Sequence, residues 1–153
     1  NKRYVVVYTL SGSHYIYTLA KKIARKLDAE VINIKLGFSK VDGDDGIIHI
    51  CDAGPQEFIS IFNSAVYVIT DSFHGTAFSI NFNIPFTTLL NPASNINSRA
   101  LSILKQTGME ERLIYDDGSN KEPSSLAVDF EPVNKVIEAS RTASLEFLRE
   151  NLA

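Results

Sequence analysis

Four residues that could carry chemistry lie within five consecutive positions of a polar turn: Asp71, Ser72, His74 and Gly75. The imidazole of His74 can act as a general acid or base near neutral pH, or it can donate a hydrogen bond to a phosphate. The carboxylate of Asp71 could orient that ring or bind a substrate hydroxyl. The same residue types are also ordinary turn and cap residues, so a purely structural turn is the competing interpretation.

This turn is predicted to join a buried strand to a short helix. Residues 66–70 (VYVIT) form an apolar, largely β-branched run that is typical of a central strand in a parallel sheet, and helical spacing of apolar residues follows from Ala77. Open α/β sheets bind ligands where a strand ends and a helix begins, because the amides there can donate to an anion. Ser72 is a candidate N-cap, and the small residues Gly75 and Thr76 would let a ligand approach the backbone.

A second candidate anion-binding group is Arg99, which follows Ser98, the predicted N-cap of another helix. A cation in the first turn of a helix opposes the helix macrodipole, so an arginine there makes sense if an anion is bound next to it. The forked guanidinium also matches the geometry of a carboxylate or a phosphate. The alternative is a solvated arginine paired with a nearby acid, which is common.

The rest of the chain alternates between strand-like and helix-like patterns, which predicts an α/β fold. We expect a Rossmann-like, doubly wound, mostly parallel sheet with helices on both faces, in three layers, and with strand order 3-2-1-4-5. Strands are predicted at residues 4–10, 30–36, 47–51, 66–70 and 86–90, with a short sixth at 113–115, and helices at residues 15–27, after Gly54, from Ala77 to Pro85, from Ser98 to Gly108 and from Pro132 onward.

This strand order puts a crevice between the first and fourth strands. The turns that follow those strands are residues 11–14 and 71–75, so Ser13 and His14 are further candidate site residues. Residues 116–125 are expected to form a mobile loop. The last helix is expected to bury an inner face composed of Val133, Val136, Ile137, Ser140, Ser144, Phe147 and Leu148.

Composition excludes several classes of protein. The 153 residues fit one domain, and a net charge of −3 gives no basic footprint for a nucleic acid or an anionic membrane. No signal peptide and no apolar run long enough to span a bilayer are visible. Cys51 is the single cysteine, and the acids of the polar loop at residues 40–46 have the wrong spacing for calcium, so no metal site is predicted.

Residues 70–80 (TDSFHGTAFSI), followed by residues 82–86 (FNIPF), resemble the signature of the polysaccharide pyruvyl transferase family. A second motif of that family resembles residues 97–99 together with Leu101, Leu104, Gly108, Met109, Glu110, Arg112 and Leu113. The resemblance implies that the chain is a single domain corresponding to the C-terminal half of such a protein. Family members are similar to two-domain glycosyltransferases of the GT-B type, whose two Rossmann-like halves enclose a cleft.

The resemblance implies transfer of pyruvate from phosphoenolpyruvate to two sugar hydroxyls, forming a ketal, in the biosynthesis of surface polysaccharides. The acceptor would be a saccharide or lipid-linked saccharide, no cofactor would be needed, and the reaction would occur in the cytoplasm or at the inner face of the membrane. An N-terminal domain of the same protein would be the partner, and this domain alone would be inactive. His74 and Asp71 would be catalytic, and the donor would bind to Ser72, Phe73, Gly75, Thr76, Ser98 and Arg99.

Two other functions stay open at the level of sequence. The first is the donor-binding half of a nucleotide-sugar GT-B glycosyltransferase, although residues 79–83 lack the second acid that such helices often carry. The second is a non-enzymatic, flavodoxin-like binding module. A preference for a uridine nucleotide would favour the first, and indifference to small dianions would favour the second.

Overall fold

The computed structural model describes residues 2–35, 45–94 and 98–152. The predicted strand at residues 30–36, the polar loop at 40–46 and the motif beginning at residue 97 therefore lie partly outside the described residues. The helices and strands follow in the order β1 (Tyr4–Tyr8), α1 (His14–Leu27), β2 (Glu30–Ile34), β3 (Ile48–Ile50), α2 (Pro55–Asn63), β4 (Tyr67–Thr70), α3 (Phe73–Asn81), β5 (Phe86–Leu90), α4 (Ser98–Thr107), β6 (Leu113–Tyr115) and α5 (Glu131–Leu152), with a 3₁₀ turn at Glu110–Arg112.

The six strands form one parallel sheet with the order β3-β2-β1-β4-β5-β6. This confirms the predicted order and adds β6, the predicted short strand, at the edge beside β5. In the centre of the sheet Val6 pairs with Ile32 of β2 on one side and with Val68 of β4 on the other. The order reverses between β1 and β4, so the crevice of a doubly wound sheet lies at the carboxyl ends of these two strands.

Both faces of the sheet are buried, as the apolar runs of its central strands predict. Side chains alternate along β1, so Val5 and Val7 face a core cluster that contains α1, whereas Val6 and Tyr8 face the opposite cluster. That second cluster contains residues of α2, α3, α4 and the start of α5, including the edge-to-face pair Tyr8 and Phe58. The arrangement is the expected three-layer α/β/α fold.

The predicted inner face of the last helix is wrong over most of its length. Val133 is buried and Ile137 is partly buried, but 63% of the surface of Phe147 is exposed and Leu148 is also exposed. A helix of 22 residues is about 33 Å long, whereas α4, with 10 residues, is only about 15 Å long. From Glu138 to Leu152 every residue of α5 is exposed, so the second half of the helix has no buried face. The other exposed members of the predicted face are Val136, Ser140 and Ser144.

The segment at residues 116–130, which follows β6, is held by contacts at several points. The Tyr15 hydroxyl donates to the carbonyl of Lys121, Glu122 forms ion pairs with Lys22 and Lys26 of α1, and the buried Arg112 donates to the carbonyl of Ser125. The expectation of a mobile loop rested on composition, which carries no information about these long-range contacts. Among the described helices none is both long and apolar enough to cross a membrane.

Candidate active site

A cavity of about 380 Å³ opens at the carboxyl ends of the central strands. It lies where the sheet order reverses, between the turn after β1 and the turn after β4, and the amino end of α4 forms another part of its wall. Among the described residues its lining is Leu10, Ser11, Ser13, Asp71, Ser72, Phe73, His74, Leu89, Leu90, Asn91, Ser94, Arg99, Ala100 and Asp116.

The turn between β4 and α3 is organised around Thr70. The Thr70 hydroxyl donates to the carbonyl of Tyr8 at 2.6 Å and accepts from the amide of Ser72 at 3.0 Å. Ser72 is the N-cap of α3, as predicted, and its side chain accepts from the amide of His74 at 3.2 Å. The first turn of α3 is thus fixed by buried hydroxyl groups of its own segment.

Gly75 makes this packing possible. A Cβ atom at Gly75 would overlap the Thr70 hydroxyl and would lie 2.8 Å from the Cβ of Thr70. The missing side chain therefore allows α3 to approach β4, and the space beside Gly75 is occupied by protein. Thr76 is fully buried as well, and its hydroxyl contacts Thr88 at 2.9 Å. Neither of these side-chain positions faces the cavity, in contrast to the close ligand approach that the sequence suggested.

The carboxylate of Asp71 joins the two turns. It accepts hydrogen bonds from the Thr9 hydroxyl at 2.7 Å, from the Leu10 amide at 2.7 Å, and from the amide and hydroxyl of Ser11 at 2.9 and 2.5 Å. Both carboxylate oxygens are therefore engaged with the β1–α1 turn. This arrangement supports the backbone-capping role for Asp71, and a catalytic role for it stays a prediction.

His74 is exposed and lines the cavity as the second residue of α3. Its ring lies 5.5 Å from the ring of Phe73, centroid to centroid, at an angle of 68°. Within the described part of the chain its imidazole nitrogens have no hydrogen-bond partner. His74 also borders a second, mostly apolar groove of about 540 Å³ between α3, α4 and α5. The ring is thus free to act on a molecule bound in the cavity.

Arg99 enters the same cavity from α4. Its guanidinium carbon lies 5.0 Å from the centroid of the Phe73 ring, a cation–π distance. No carboxylate in the described ranges lies within ion-pair distance of it, so the structure does not favour the alternative of an arginine paired with an acid. Ser98 is the first residue of α4 and is exposed, and it does not line the cavity.

Of the remaining candidates, Ser13 lines the cavity and caps α1. His14 is exposed at the start of α1 and is not part of the cavity lining. The structure thus brings together Ser13, Asp71, Ser72, Phe73, His74 and Arg99, and leaves His14, Gly75, Thr76 and Ser98 outside the lining.

The sequence analysis missed two polar residues of the lining, Asn91 and Asp116. Asn91 directly follows β5, and Asp116 directly follows β6. Because the carboxyl ends of parallel strands share one sheet edge, their positions after predicted strands were a usable signal. Asp116 adds a second carboxylate to the cavity, and its side chain accepts no hydrogen bond from any described residue.

Two tyrosines beside the cavity stay neutral at physiological pH. Burial raises the pKa of Tyr8, and the negative charge of Asp71 raises it further. Burial also raises the pKa of Tyr15, with smaller contributions from Glu122, Asp116 and Asp117. The fixed charges of the described cavity lining are therefore those of Arg99 and the carboxylates. No group of three or more acids, histidines or cysteines suited to a metal occurs among the described residues.

Comparison with known proteins gives a family match and a fold match. A model of the polysaccharide pyruvyl transferase family matches residues 1–92, more than half of the chain, a range that includes His74 but not Arg99. No curated protein sequence matches the chain. The glycosyltransferase SnogD from Streptomyces nogalater is similar in structure, with a TM-score of 0.57 and 12% identity over 93% of this chain and 39% of that one.

The UDP-GlcNAc 2-epimerase from Methanocaldococcus jannaschii has a TM-score of 0.50 and 13% identity, covering 90% of this chain and 38% of that one. At 12% and 13% sequence identity, this similarity shows a shared fold alone. The chain spans about two fifths of the length of each of these proteins.

Proposed function

Because the chain belongs to the polysaccharide pyruvyl transferase family, we propose that it forms the donor-binding half of an enzyme that transfers pyruvate from phosphoenolpyruvate to a sugar as a ketal. Residues 1–153 would be one Rossmann-like domain, the C-terminal half of the protein. An N-terminal domain would supply the opposite wall of the cleft and bind the saccharide or lipid-linked saccharide acceptor. The reaction would serve surface polysaccharide synthesis in the cytoplasm or at the inner membrane face.

The observation that carries this proposal is the convergence of three groups on one cavity: the amino end of α3, the guanidinium of Arg99 and the imidazole of His74. Phosphoenolpyruvate carries a phosphate and a carboxylate, and both kinds of anion bind to helix amino ends and to arginine. The His74 amide is already used by the Ser72 cap, which leaves the amide of Phe73, a residue of the cavity lining, without an acceptor in the described part of the chain.

In the proposed reaction, a proton adds to the methylene carbon of the donor and an oxygen of one sugar hydroxyl bonds to the adjacent enol carbon. The bond from that carbon to the phosphate oxygen then breaks, and a second hydroxyl oxygen takes its place to complete the ketal. Of the two hydroxyl protons released, one balances the new methyl group and the other leaves with phosphate. His74 is the proton donor in this scheme, since it lines the cavity and its ring nitrogens have no hydrogen-bond partner among the described residues.

Arg99 and the Phe73 amide at the start of α3 would hold the two anionic groups, and Asp71 would keep the β1–α1 turn in place beside them. This division of roles uses the predicted lining residues Asp71, His74 and Arg99 together with the start of α3. It also assigns proton transfer to His74, which lines the same cavity as the anion-binding groups. A side chain that transfers a proton must lie within hydrogen-bond reach of the reacting group.

The test is isothermal titration of the chain with phosphoenolpyruvate, inorganic phosphate and uridine diphosphate. We expect phosphoenolpyruvate to bind best, and Arg99→Ala to cost about 1.5–3 kcal/mol of binding free energy, the range for a hydrogen bond to a charged group. Arg25→Ala, which removes an exposed cation from α1, is the matched control and should change nothing.

The other outcomes separate the alternatives. Tighter binding of uridine diphosphate would support a nucleotide-sugar glycosyltransferase. No preference among the three anions would support a non-enzymatic binding module. Equal losses in Arg99→Ala and Arg25→Ala would indicate non-specific charge attraction and would contradict the assignment of Arg99 to the site.

A further inference from the structure

The ring of Phe73 lies close to two groups that the proposed reaction uses, Arg99 and His74. Phe73 is the first residue of α3, directly after the cap Ser72, and its ring is half-buried. The guanidinium of Arg99 lies at 5.0 Å from its centroid, and the ring of His74 lies at 5.5 Å. One aromatic side chain thus touches a cation from α4 and an imidazole from its own helix.

The position of Arg99 needs an explanation, because its cavity also contains the carboxylates of Asp71 and Asp116. An arginine so close to acids would ordinarily form an ion pair, yet the described residues include no carboxylate within ion-pair distance of it. Within the described ranges, the guanidinium of Arg99 contacts the Phe73 ring. An aromatic ring attracts the cation without occupying its N–H groups, so all five donors remain available to a ligand.

We propose that Phe73 is a positioning residue that holds the Arg99 guanidinium beside the α3 amino end in a donor-ready orientation. This inference rests on the proposed function, since it concerns how the same cavity binds the anionic donor. A long exposed arginine loses considerable side-chain entropy when it binds a ligand, and a partner that restricts it beforehand lowers that cost. The ring is suited to this task because it is itself fixed at the capped start of α3.

The proposal distinguishes Phe73 from an ordinary apolar contact. Leucine at this position would fill similar space but has no π face, whereas tyrosine would keep the face. Lysine in place of Arg99 would keep the charge but would lack the planar fork that can lie near a ring and still offer donors to an anion. The effect of Phe73 on donor binding should therefore depend on the presence of Arg99.

The experiment is a double-mutant cycle on the chain, with phosphoenolpyruvate and inorganic phosphate as titrants. We expect Phe73→Leu to weaken phosphoenolpyruvate binding roughly three- to tenfold, the range of a cation–π contact at a partly exposed site. Phe73→Tyr should restore affinity to within about twofold of the original. In an Arg99→Ala background, Phe73→Leu should have no further effect.

A nuclear magnetic resonance measurement without ligand tests the geometry directly. The ring current of Phe73 should shift the Nε–H proton signal of Arg99 upfield, Arg99→Ala should identify that signal by removing it, and Phe73→Leu should return it to the position of a solvated arginine. A normal Arg99 signal in the unsubstituted chain would overturn the proposal whatever the affinities are.

The remaining outcomes are equally decisive. If Phe73→Leu weakens binding as much without Arg99 as with it, the ring contacts the ligand on its own and the positioning role is wrong. If Phe73→Leu has no effect while Arg99→Ala does, the ring is packing only. If neither phosphoenolpyruvate nor phosphate binds but the shifted Arg99 signal is present and depends on Phe73, the ring holds the guanidinium, and the proposed donor is what fails.

Discussion

The turn after β4 and the turn after β1 face each other across the same cavity, yet they are stabilised in opposite ways. The β4–α3 turn is held from within, by the buried hydroxyls of Thr70 and Ser72 and by the close packing at Gly75. The β1–α1 turn is exposed at Leu10 and Ser11, and much of its hydrogen bonding comes from one carboxylate of the opposite turn, Asp71.

The difference indicates that the two turns have different tolerance to change. A substitution that breaks contacts inside the β4–α3 turn should destabilise the whole domain, because these contacts are buried next to the central strand β4. A defect in the link through Asp71 should loosen one wall of the cavity and cost less, because water can replace hydrogen bonds to exposed groups. The His74 side chain projects from the β4–α3 turn without supporting it, so its loss should lower turnover and leave stability unchanged.

The largest expected effect on stability is that of Gly75→Ala. The added Cβ would overlap the Thr70 side chain, and overpacking of a buried contact typically costs about 1–3 kcal/mol. Urea unfolding measures the loss. Because Thr70→Ala removes the hydroxyl and the methyl group that the added Cβ would meet, and leaves only the Cβ of residue 70, the double variant should lose less stability than the two single losses added together. A double variant with simply additive losses would show that Thr70 is not the cause.

Asp71→Ala should have an intermediate effect, about 1–2 kcal/mol, because it removes the acceptor for four hydrogen bonds but leaves groups that water can reach. Hydrogen exchange should accelerate at the amides of Leu10 and Ser11. Asp116→Ala is the matched control, since that carboxylate lines the same cavity without a hydrogen bond from the described residues. Unchanged exchange at Leu10 and Ser11 would contradict the link between the turns.

His74→Asn should have the smallest effect on stability, within about 0.5 kcal/mol, as is usual for an exposed side chain without buried contacts. In the two-domain enzyme proposed above, the same substitution should lower turnover by about 10²–10⁴, the usual contribution of a positioned proton-transferring group. His14→Asn, an equally exposed change outside the cavity lining, should leave both quantities unchanged. Equal turnover in the two variants would remove His74 from the mechanism.

Much of this arrangement could be predicted because its information is local in the sequence. The apolar runs of β1 and β4 identify central strands, and the alternation of strands and helices predicts both the order of the sheet and the edge at which the cavity opens. Ser72 as a cap, and the end of α4 at the left-handed Gly108, follow from residue preferences at helix ends.

What could not be predicted depends on contacts between distant segments. Asp71 and Ser11 are 60 positions apart, so no residue near Asp71 in the sequence shows that its carboxylate accepts hydrogen bonds from the β1–α1 turn. The role of Gly75 depends on the depth at which α3 packs on β4, which composition does not encode. For α5, periodicity shows that a face is apolar, but only the packing of neighbouring elements decides whether that face is buried.

The two halves of α5 should also differ in how their backbone amide hydrogens exchange with solvent. The first turns are anchored by Val133 and Ile137, so their exchange requires opening of the second core cluster. Beyond Ser140 the helix has only its own hydrogen bonds, and an isolated helical segment of about 12 residues is marginal in water. Exchange there should be fast and should not require opening of that cluster. We therefore expect a single continuous helix to behave as two cooperative units, one coupled to global unfolding and one nearly independent of it.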